Sequence, residues 1–278
     1  MTEATASVPS TPAPTSGAAI RCRICDAPAE QIFDALVLRK HAVRYFHCGA
    51  CGLLETEEPH WLADAYTDAI TLQDTGLVQR NLVFADAVAV LLYVFFDRNG
   101  TFVDYGGGTG LFTRLMRDIG FDFRTYDPHT PNVHARGFEA RPEERGFELV
   151  TSFESFEHFV RPPQELERML AMSRNIVFST ELLPTPPPRP AEWWYYGVEH
   201  GQHVSFYERR TLAHLARAHG LTLRSFGPLH LMTEVEIAPW KLRLAWKFRR
   251  RLLRRLRRRL RSRMVDDHDL LRGRAPPT

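Results

Sequence analysis

The feature that most constrains the fold is a strand-like segment running into a glycine-rich turn at residues 101–111. Thr101 to Val103 are β-forming residues, and Leu111 begins a segment whose apolar residues recur at helical spacing. Because glycine is unfavourable inside regular elements, the intervening glycines predict a tight turn between strand and helix. This order is typical of the first unit of a doubly wound α/β sheet, where a nucleotide-like ligand lies against the turn.

The glycine spacing distinguishes two kinds of nucleotide site. A dinucleotide-binding turn needs a third glycine at the position of Leu111, so that pattern is not met. The pattern that fits is Asp-x-Gly-x-Gly-x-Gly, formed by Asp104, Gly106, Gly108 and Gly110. It resembles motif I of the class I S-adenosylmethionine (SAM)-dependent methyltransferases, whose loop passes under the methionine and ribose of the cofactor. The resemblance implies an α/β fold with a Rossmann-like, seven-stranded sheet.

Other strands of this sheet are predicted to complete the SAM site. The second, at 121–126, ends in Asp127, whose carboxylate can accept hydrogen bonds from two ribose hydroxyls. A fourth at 147–153 ends at the same crevice. The residues predicted to bind SAM are Asp104, Tyr105, Gly106, Gly108, Gly110, Asp127, Ser152, Phe153 and Glu154. An ordinary glycine turn with a surface aspartate is the alternative. Further strands are predicted near 133–140 and at 174–179, with a closing hairpin at 221–226 and 229–237.

All four cysteines fall in two Cys-x-x-Cys pairs, 22 residues apart: Cys22 and Cys25, then Cys48 and Cys51. Two such pairs complete the tetrahedral coordination that Zn²⁺ prefers. They predict a zinc-ribbon-like segment with a structural Zn²⁺ ion, because four cysteine ligands leave no open position. Two disulfides are an alternative that a reducing compartment disfavours. A redox Cys-x-x-Cys motif is another, but it would not need two copies.

Two histidines lie on loops predicted to border the crevice, His158 after the fourth strand and His203 after the fifth. Imidazole has an ordinary pKa near 6.5, which suits proton removal from an acceptor, so both are predicted catalytic residues. A structural or solvated role is the alternative for each. The run at 147–166 resembles the fourth-strand region of small-molecule methyltransferases, in which a Glu-His pair commonly follows the strand. The aromatic residues at 193–196 predict an exposed wall for the acceptor, with core packing of an insertion as the alternative.

The cysteine pairs, the SAM motif and a histidine after the fifth strand together also resemble the deoxysugar C-methyltransferases. Those enzymes carry a Tyr-x-acid-His cluster where this chain has His200, Gly201, Gln202 and His203, so only the last position matches. O-methylation is therefore at least as strongly indicated as C-methylation. The predicted function is SAM-dependent methyl transfer to a small-molecule acceptor: a sugar, a glycan precursor or another secondary metabolite.

Two other functions stay open at this point. An RNA methyltransferase would account for the ribbon and an arginine-rich tail, but the Asn/Asp-Pro-Pro-aromatic box of amino-methylating nucleic-acid enzymes is missing after the fourth strand. A non-catalytic SAM-binding or scaffold protein is the other. Affinity for SAM and turnover of an acceptor distinguish these functions.

The charge is distributed unevenly along the chain. Residues 241–263 contain thirteen Lys and Arg and no acidic residue, whereas the rest of the chain has 23 basic and 33 acidic residues. Apolar residues recur in this stretch at helical spacing, which favours a helix on an anionic membrane surface. Binding to nucleic-acid phosphates is a less favoured interpretation, and a solvated helix is the third.

These predictions divide the chain into five parts. No secretory signal is evident, and the longest apolar run, Ala87 to Phe96, is too short to span a bilayer, so we expect a cytoplasmic protein, peripheral at the inner membrane surface. The parts are a disordered tail at 1–19, the zinc-ribbon-like segment at 20–58, a helical cap at 59–98, the SAM-binding methyltransferase domain at 99–238, and a basic amphipathic helix and tail at 239–278.

Overall fold

Two β-sheets organise the chain in the computed structural model, which describes residues 19–66 and 74–273. Most of the predicted disordered tail, and residues 67–73 of the predicted cap, lie outside the described residues. The strands are β1 (Ala19–Arg21), β2 (Pro28–Val37), β3 (His41–His47), β4 (Leu53–Thr56), β5 (Thr101–Tyr105), β6 (Asp122–Tyr126), β7 (Leu149–Ser152), β8 (Ile176–Ser179), β9 (Ser205–Tyr207), β10 (Thr222–Phe226) and β11 (Leu229–Thr233). The helices are α1 (Leu62–Ala65), α2 (Leu77–Phe95), α3 (Leu111–Ile119), α4 (Pro162–Met172), α5 (Arg209–Ala218), α6 (Pro239–Lys247), α7 (Arg249–Arg257) and α8 (Met264–Arg272).

The larger sheet has the strand order β10-β11-β8-β7-β5-β6. Strands β6, β5, β7 and β8 are parallel, and the hairpin β10–β11 runs antiparallel to them at one edge. This confirms the predicted α/β fold of the methyltransferase type. The strand expected near 133–140 is reduced to a single bridge between Glu139 and Thr125. Gly137, with φ of +89°, bends the backbone there and prevents a longer extended run.

The smaller sheet has the order β1-β2-β3-β4-β9 and crosses a predicted boundary. Its last strand, β9, lies in the predicted methyltransferase domain but pairs with β4, with Leu53 opposite Tyr207 and Glu55 opposite Ser205. All three β9 residues are buried. The division at residue 58 stays a prediction, but backbone hydrogen bonding joins the segments on either side of it. The cysteine-bearing sheet therefore also positions the chain just before β9.

The second cysteine pair is also tied to helix α5. The Arg210 guanidinium donates to the backbone carbonyl of Gly49 over 2.7 Å, and the Thr211 hydroxyl donates to the carbonyl of Cys51 over 2.9 Å. His47 hydrogen-bonds the Glu208 carboxylate over 2.9 Å. These contacts join the knuckle to the helix that follows β9.

Helix α2 packs on the larger sheet as a core helix. Phe84, Val88 and Leu92 are buried in a cluster with residues of β5, β6 and α3. By length and composition, α2 is the one helix within the described ranges that could cross a membrane, although nearly half of it is buried inside the protein. Only the N-terminal part of α2 approaches the predicted crevice. Arg80 in this part pairs with Asp74 and lies 3.9 Å from Glu154, one of the residues predicted to bind SAM.

The basic segment at 241–263 differs from the single membrane-facing helix that its periodicity predicts. It forms two helices, α6 and α7, with a break at Phe248, and Leu242 and Leu256 are buried against α2. The apolar stripe is thus covered by the protein, because α2 supplies a complementary apolar surface. Farther along, Asp267 of α8 accepts two hydrogen bonds, of 2.6 and 2.9 Å, from the buried Arg117 guanidinium of α3.

Candidate functional site

The glycine-rich turn between β5 and α3 is left-handed at three positions. Gly106, Gly108 and Gly110 have φ of +71°, +55° and +79°, which L-residues with a side chain rarely adopt. The turn is held against the neighbouring strand, because the Gly106 amide donates to the carbonyl of Tyr126 over 2.8 Å. The spacing of the glycines is therefore a backbone requirement of this turn.

Asp104 supports the turn from below. It is buried, and the Thr151 hydroxyl donates to its Oδ1 atom over 2.7 Å. Burial raises the pKa of Asp104 to about 7, a rise that the Thr151 hydrogen bond opposes. A Cβ on Gly107 would collide with the Asp104 carboxylate, so this residue also has to be glycine.

A cavity of about 440 Å³ opens beside the turn, within the size range of small-molecule pockets. Gly108, Thr125, Asp127 and Asn132 are among its lining residues. A Cβ on Gly108 would enter open space, and the buried Thr125 hydroxyl has no hydrogen-bond partner among the described residues. A cavity bordered by a bare backbone turn, an orphaned hydroxyl and a carboxylate fits the nucleoside part of SAM.

The Asp127 carboxylate is partly occupied by backbone donors. Its Oδ1 atom accepts from the amides of His129 and Thr130, each over 2.8 Å, and its Oδ2 atom accepts from Gly108 over 2.9 Å. A carboxylate offers about four acceptor positions. One acceptor position on Oδ2 thus stays open. For Asp127 to accept hydrogen bonds from two ribose hydroxyls, as expected, its hydrogen bond with the Gly108 amide has to break.

The other residues predicted to bind SAM lie outside the lining of this cavity. The Tyr105 hydroxyl donates to Glu165 of α4 over 2.6 Å, and Phe153 packs on Phe84 and Phe112 with ring centroids 4.8 Å away in each case. Glu154 accepts a hydrogen bond of 2.6 Å from the hydroxyl of Ser179. The buried Ser152 hydroxyl has no partner in the described part of the chain.

The two predicted catalytic histidines lie together on the other side of the crevice, with Glu157. One ligand atom of each of Glu157, His158 and His203 lies within 4.8 Å of the others. Glu157 and His158 belong to a short turn after β7, and His203 precedes β9. The segment that leads into Glu157 and His158 passes beside the glycine turn, because a Cβ on Gly106 would lie 3.0 Å from the Ser155 hydroxyl.

Hydrogen bonds orient both imidazoles. His203 Nδ1 lies 2.6 Å from the carbonyl oxygen of Tyr195, and since a carbonyl only accepts, Nδ1 carries the proton and Nε2 has a free lone pair. His158 Nδ1 lies 2.9 Å from the hydroxyl of Tyr66. Burial lowers the pKa of His158 to about 4 and that of His203 well below its ordinary value, so both rings are neutral at pH 7.

Glu157 is a buried carboxyl group with few polar neighbours. Its side chain is fully buried, and neither oxygen has a hydrogen-bond partner within residues 19–66 and 74–273. Burial and then the charge of Glu154 raise the pKa of Glu157 to about 8. The hydroxyls of Tyr195 and Thr180 face it and oppose this rise, but neither reaches hydrogen-bond geometry.

The prediction of an exposed aromatic wall at 193–196 is largely wrong. Tyr195 and Tyr196 are buried, and only Trp194 is strongly exposed, at 77%. The Tyr196 ring lies 5.1 Å from that of Phe206 in β9, so it belongs to the core of the smaller sheet. Tyr195 stays close to the candidate site, with its ring 4.8 Å from that of His203.

The four cysteine sulfurs converge at the end of the smaller sheet. The Sγ atoms of Cys22 and Cys51 are 3.6 Å apart, those of Cys25 and Cys48 are 3.5 Å apart, and all four lie within 4.8 Å of one another. A tetrahedral zinc site with Zn–S bonds of about 2.3 Å places its sulfurs about 3.8 Å apart, so the donor set fits Zn²⁺. A hydrogen bond with Cys51 lowers the pKa of the Cys22 thiol to about 5, against the effect of burial.

Comparison with protein families identifies the class of the chain. The family model described as a methyltransferase domain matches residues 78–225, more than half of the sequence, so the chain belongs to this family. The protein is a SAM-dependent methyltransferase. A comparison with curated proteins found no match.

Solved methyltransferases are among the structures similar to this chain. TnmH is 17% identical with a TM-score of 0.44, over 63% of this chain and 60% of TnmH. Magnesium protoporphyrin IX methyltransferase from Synechocystis PCC 6803 is 12% identical with a TM-score of 0.43, over 62% of this chain and 90% of that protein. An O-methyltransferase family protein from Burkholderia thailandensis is 15% identical with a TM-score of 0.41, over 62% and 66% of the two chains.

Two residues of the candidate site, Glu157 and Tyr66, were not predicted to act there, whereas Tyr195 belongs to the aromatic stretch predicted to contact the acceptor. Glu157 was visible in the sequence as half of the Glu-His pair, but no periodicity indicated that its carboxyl group is buried. Tyr66 and Tyr195 contact His158 and His203 from segments remote in sequence. No local pattern marks such contacts, since they depend on how the two sheets join.

Proposed function

We propose that the protein transfers the methyl group of SAM to an oxygen or carbon atom of a small-molecule acceptor, such as a sugar, a glycan precursor or another secondary metabolite. The observation that carries this proposal is the cluster of Glu157, His158 and His203 beside the glycine turn. The two neutral imidazoles and the carboxyl group of this cluster support an acceptor site near the cofactor cavity. Such groups suit an acceptor that must lose a proton.

When bound, SAM supplies a methyl group on a positively charged sulfur, which becomes a neutral thioether as the methyl group forms its new bond. His203 supplies the base, because its Nδ1 proton is committed to the Tyr195 carbonyl and Nε2 is free to take the proton of the acceptor. Its lowered pKa keeps Nε2 unprotonated at pH 7. His158, held by the Tyr66 hydroxyl, is a second candidate base and positions the acceptor.

The test is a screen for turnover with SAM and fractionated metabolite extracts, followed by mass spectrometry of products 14 Da heavier. With the acceptor found, His203→Ala should abolish turnover and leave SAM affinity, measured by calorimetry, unchanged. His214→Ala, on helix α5 and outside the cluster of Glu157, His158 and His203, is the matched control. Unchanged turnover in His203→Ala would remove this residue from the mechanism, and absence of any product would favour a SAM-binding role without catalysis.

We also propose that the four cysteines hold a structural Zn²⁺ ion. The short sulfur separations, and the absence of a fifth donor from this cluster within the described part of the chain, support this proposal. Metal analysis of the purified protein should find one zinc per chain bound by these sulfurs, and Cys48→Ala should lose it. Retention of zinc in that variant would contradict the proposal.

We propose that the protein lies in the cytoplasm at an anionic membrane surface. The face of the basic segment that would contact the membrane differs from the one that the sequence indicated. Three apolar residues of α6 and its end stay exposed at helical spacing: Trp240 at 62%, Leu244 at 46% and Phe248 at 37%. Lys241 and Lys247 flank them. An exposed apolar stripe with basic neighbours is typical of helices that lie in the lipid interface.

Co-sedimentation with vesicles tests this location. Binding should require anionic lipid, weaken with salt, and fall strongly in the double variant Trp240→Ser, Leu244→Ser. Leu270→Ser, an exposed leucine on α8, is the control and should bind like the unsubstituted protein. Salt-sensitive RNA binding without lipid binding would instead favour nucleic acid as the partner of the basic tail.

A further inference from the structure

We propose that Glu157, His158 and His203 form a second metal site, which binds one divalent cation with two imidazole ligands and one carboxylate. This inference rests on the proposed function in one respect: it takes the side of the crevice that holds this cluster to be the side where the acceptor binds. The three ligand atoms already lie within 4.8 Å of one another, and a cation with bonds of about 2.0 to 2.2 Å would draw them closer.

The carboxyl group of Glu157 is the first independent reason. A buried carboxyl group whose two oxygens lack hydrogen-bond partners is costly to maintain, and it is found mainly where a function requires it. No basic side chain among the described residues forms a salt bridge with Glu157 within 4.0 Å, whereas the equally buried Glu55 pairs with Arg23 over 3.0 Å. A divalent cation would neutralise Glu157 and supply its missing partner.

The second reason for a metal site is the hydrogen bond that each histidine makes through the ring nitrogen that would not bind the metal. A histidine that binds a metal usually donates its other ring N–H to a carbonyl or carboxylate, which fixes the tautomer. His203 does so through Nδ1 to the Tyr195 carbonyl, so that Nε2 is left as the ligand. The backbone carbonyl of Gln202 plays the same part for His158. The remaining His158 nitrogen then faces the Tyr66 hydroxyl, which a cation would displace.

The class of metal follows from the ligands. Two imidazoles and one carboxylate with open positions suit Mn²⁺, Fe²⁺, Co²⁺ or Zn²⁺, whereas four thiolates select Zn²⁺. The chain would thus carry two sites of different chemistry, one closed and one open. The smaller sheet links them, because the cysteine pairs lie in the turns between its strands and β9 fixes the chain next to His203.

A cation at this site would have an open coordination position, which would bind an oxygen of the acceptor. The acceptor's O–H proton would then leave by a different route. The coordinated O–H group would lose its proton to solvent, and the resulting oxyanion would form the new bond to the methyl carbon while the bond from that carbon to sulfur breaks. His203 would then act as a ligand of the cation, and acceptors with an oxygen at the reacting position would be favoured. Methyl transfer would depend on the metal even with the cysteine site filled.

Manganese titration of the full chain tests the proposal. Protein loaded with one Zn²⁺ per chain, which the thiolates retain, is titrated with Mn²⁺ while the free-ion electron paramagnetic resonance signal is followed. We expect one Mn²⁺ per chain, with affinity weakened about tenfold or more in Glu157→Gln. Glu167→Gln, an exposed glutamate on α4, is the matched control and should bind Mn²⁺ normally. Melting temperature and SAM affinity report whether each variant is folded.

His203→Ala is the second variant, in case Glu157→Gln does not fold, and it should weaken Mn²⁺ binding to a similar degree. Absence of Mn²⁺ binding, or equal binding by both variants and the unsubstituted protein, would overturn the inference. This outcome is separate from failure of the proposed function, since Mn²⁺ binding is measured without acceptor. Turnover that persists without a cation at this site would support the methyltransferase proposal and refute the part of the metal in methyl transfer.

Discussion

The cofactor side and the acceptor side of the crevice are built in different ways. The cofactor side is almost entirely local: the glycine turn, Asp104 and Asp127 lie within two consecutive strands, and backbone amides make most of the contacts. The acceptor side gathers Tyr66, Glu157 and His203 from three distant segments. Its third segment is held by β9, which belongs to the cysteine-bearing sheet.

This difference predicts which substitutions impair SAM binding and which impair methyl transfer. Backbone hydrogen bonds hold the turn at Gly106 to Gly110 to the larger sheet, and Val103 and Tyr105 just before it share a core cluster with Cys48 and Cys51, so damage to the smaller sheet should affect the turn less than it affects His203. His203 depends on the pairing of β9 with β4, and through it on the Zn²⁺ ion that we propose for the cysteines. We therefore expect SAM binding and methyl transfer to respond separately to substitutions in the two sheets.

The largest separation is expected for Cys48→Ala. Loss of the structural metal should loosen β3, β4 and β9, because binding free energy in such sites is also folding free energy. Turnover should fall about 100-fold or more, while SAM affinity, measured by calorimetry, changes less than about threefold. Ala50→Ser, an exposed position in the same knuckle, is the control. A matching loss of SAM affinity would show that the two sides are not independent.

The reverse separation is expected for Gly108→Ala. The new methyl group would enter the cofactor cavity, and φ of +55° costs a residue with a side chain about 1–2 kcal/mol. SAM affinity should fall about 30-fold or more, with the zinc content intact. Gly146→Ala is a matched control, because Gly146 also has positive φ and open space but does not line the cavity. Equal SAM affinities of the two variants would place the cofactor elsewhere.

A smaller effect is expected for Asp127→Ala. This change removes the open acceptor position on Oδ2 and also releases the amides of Gly108, His129 and Thr130. SAM affinity by calorimetry should fall about tenfold, the value of one hydrogen bond to a charged group. Glu143→Ala, an exposed carboxylate in the next loop, should have no effect. An unchanged affinity in Asp127→Ala would exclude the ribose contact.

A separate prediction concerns stability and pH on the cofactor side. The folded-state pKa of Asp104 is about 7, above its unfolded value near 3.8, so its stabilising contribution is complete below pH 3.8 and is lost as the pH rises through 7. The free energy of unfolding by urea should therefore fall between pH 5 and pH 8. Asp104→Asn should flatten this part of the profile. A profile that keeps its slope in Asp104→Asn would assign it to another group.

The sequence by itself determined the parts that neighbouring residues specify. The strand, turn and helix around Gly106 to Gly110, the parallel sheet with its terminal hairpin and the convergence of two cysteine pairs all follow from short patterns. In each of these cases the residues that interact are close in the chain, or identical patterns are repeated. Periodicity and φ requirements therefore suffice to place them.

The tertiary structure alone decided the contacts between distant segments. It joined β9 to β4, buried Tyr196 instead of exposing it, occupied three of the acceptor positions of Asp127, and covered the apolar stripe of the basic tail with α2. The physical reason is the same throughout. An apolar face or a polar atom is satisfied by whichever partner the fold brings near, and sequence periodicity reveals the need for a partner without identifying it.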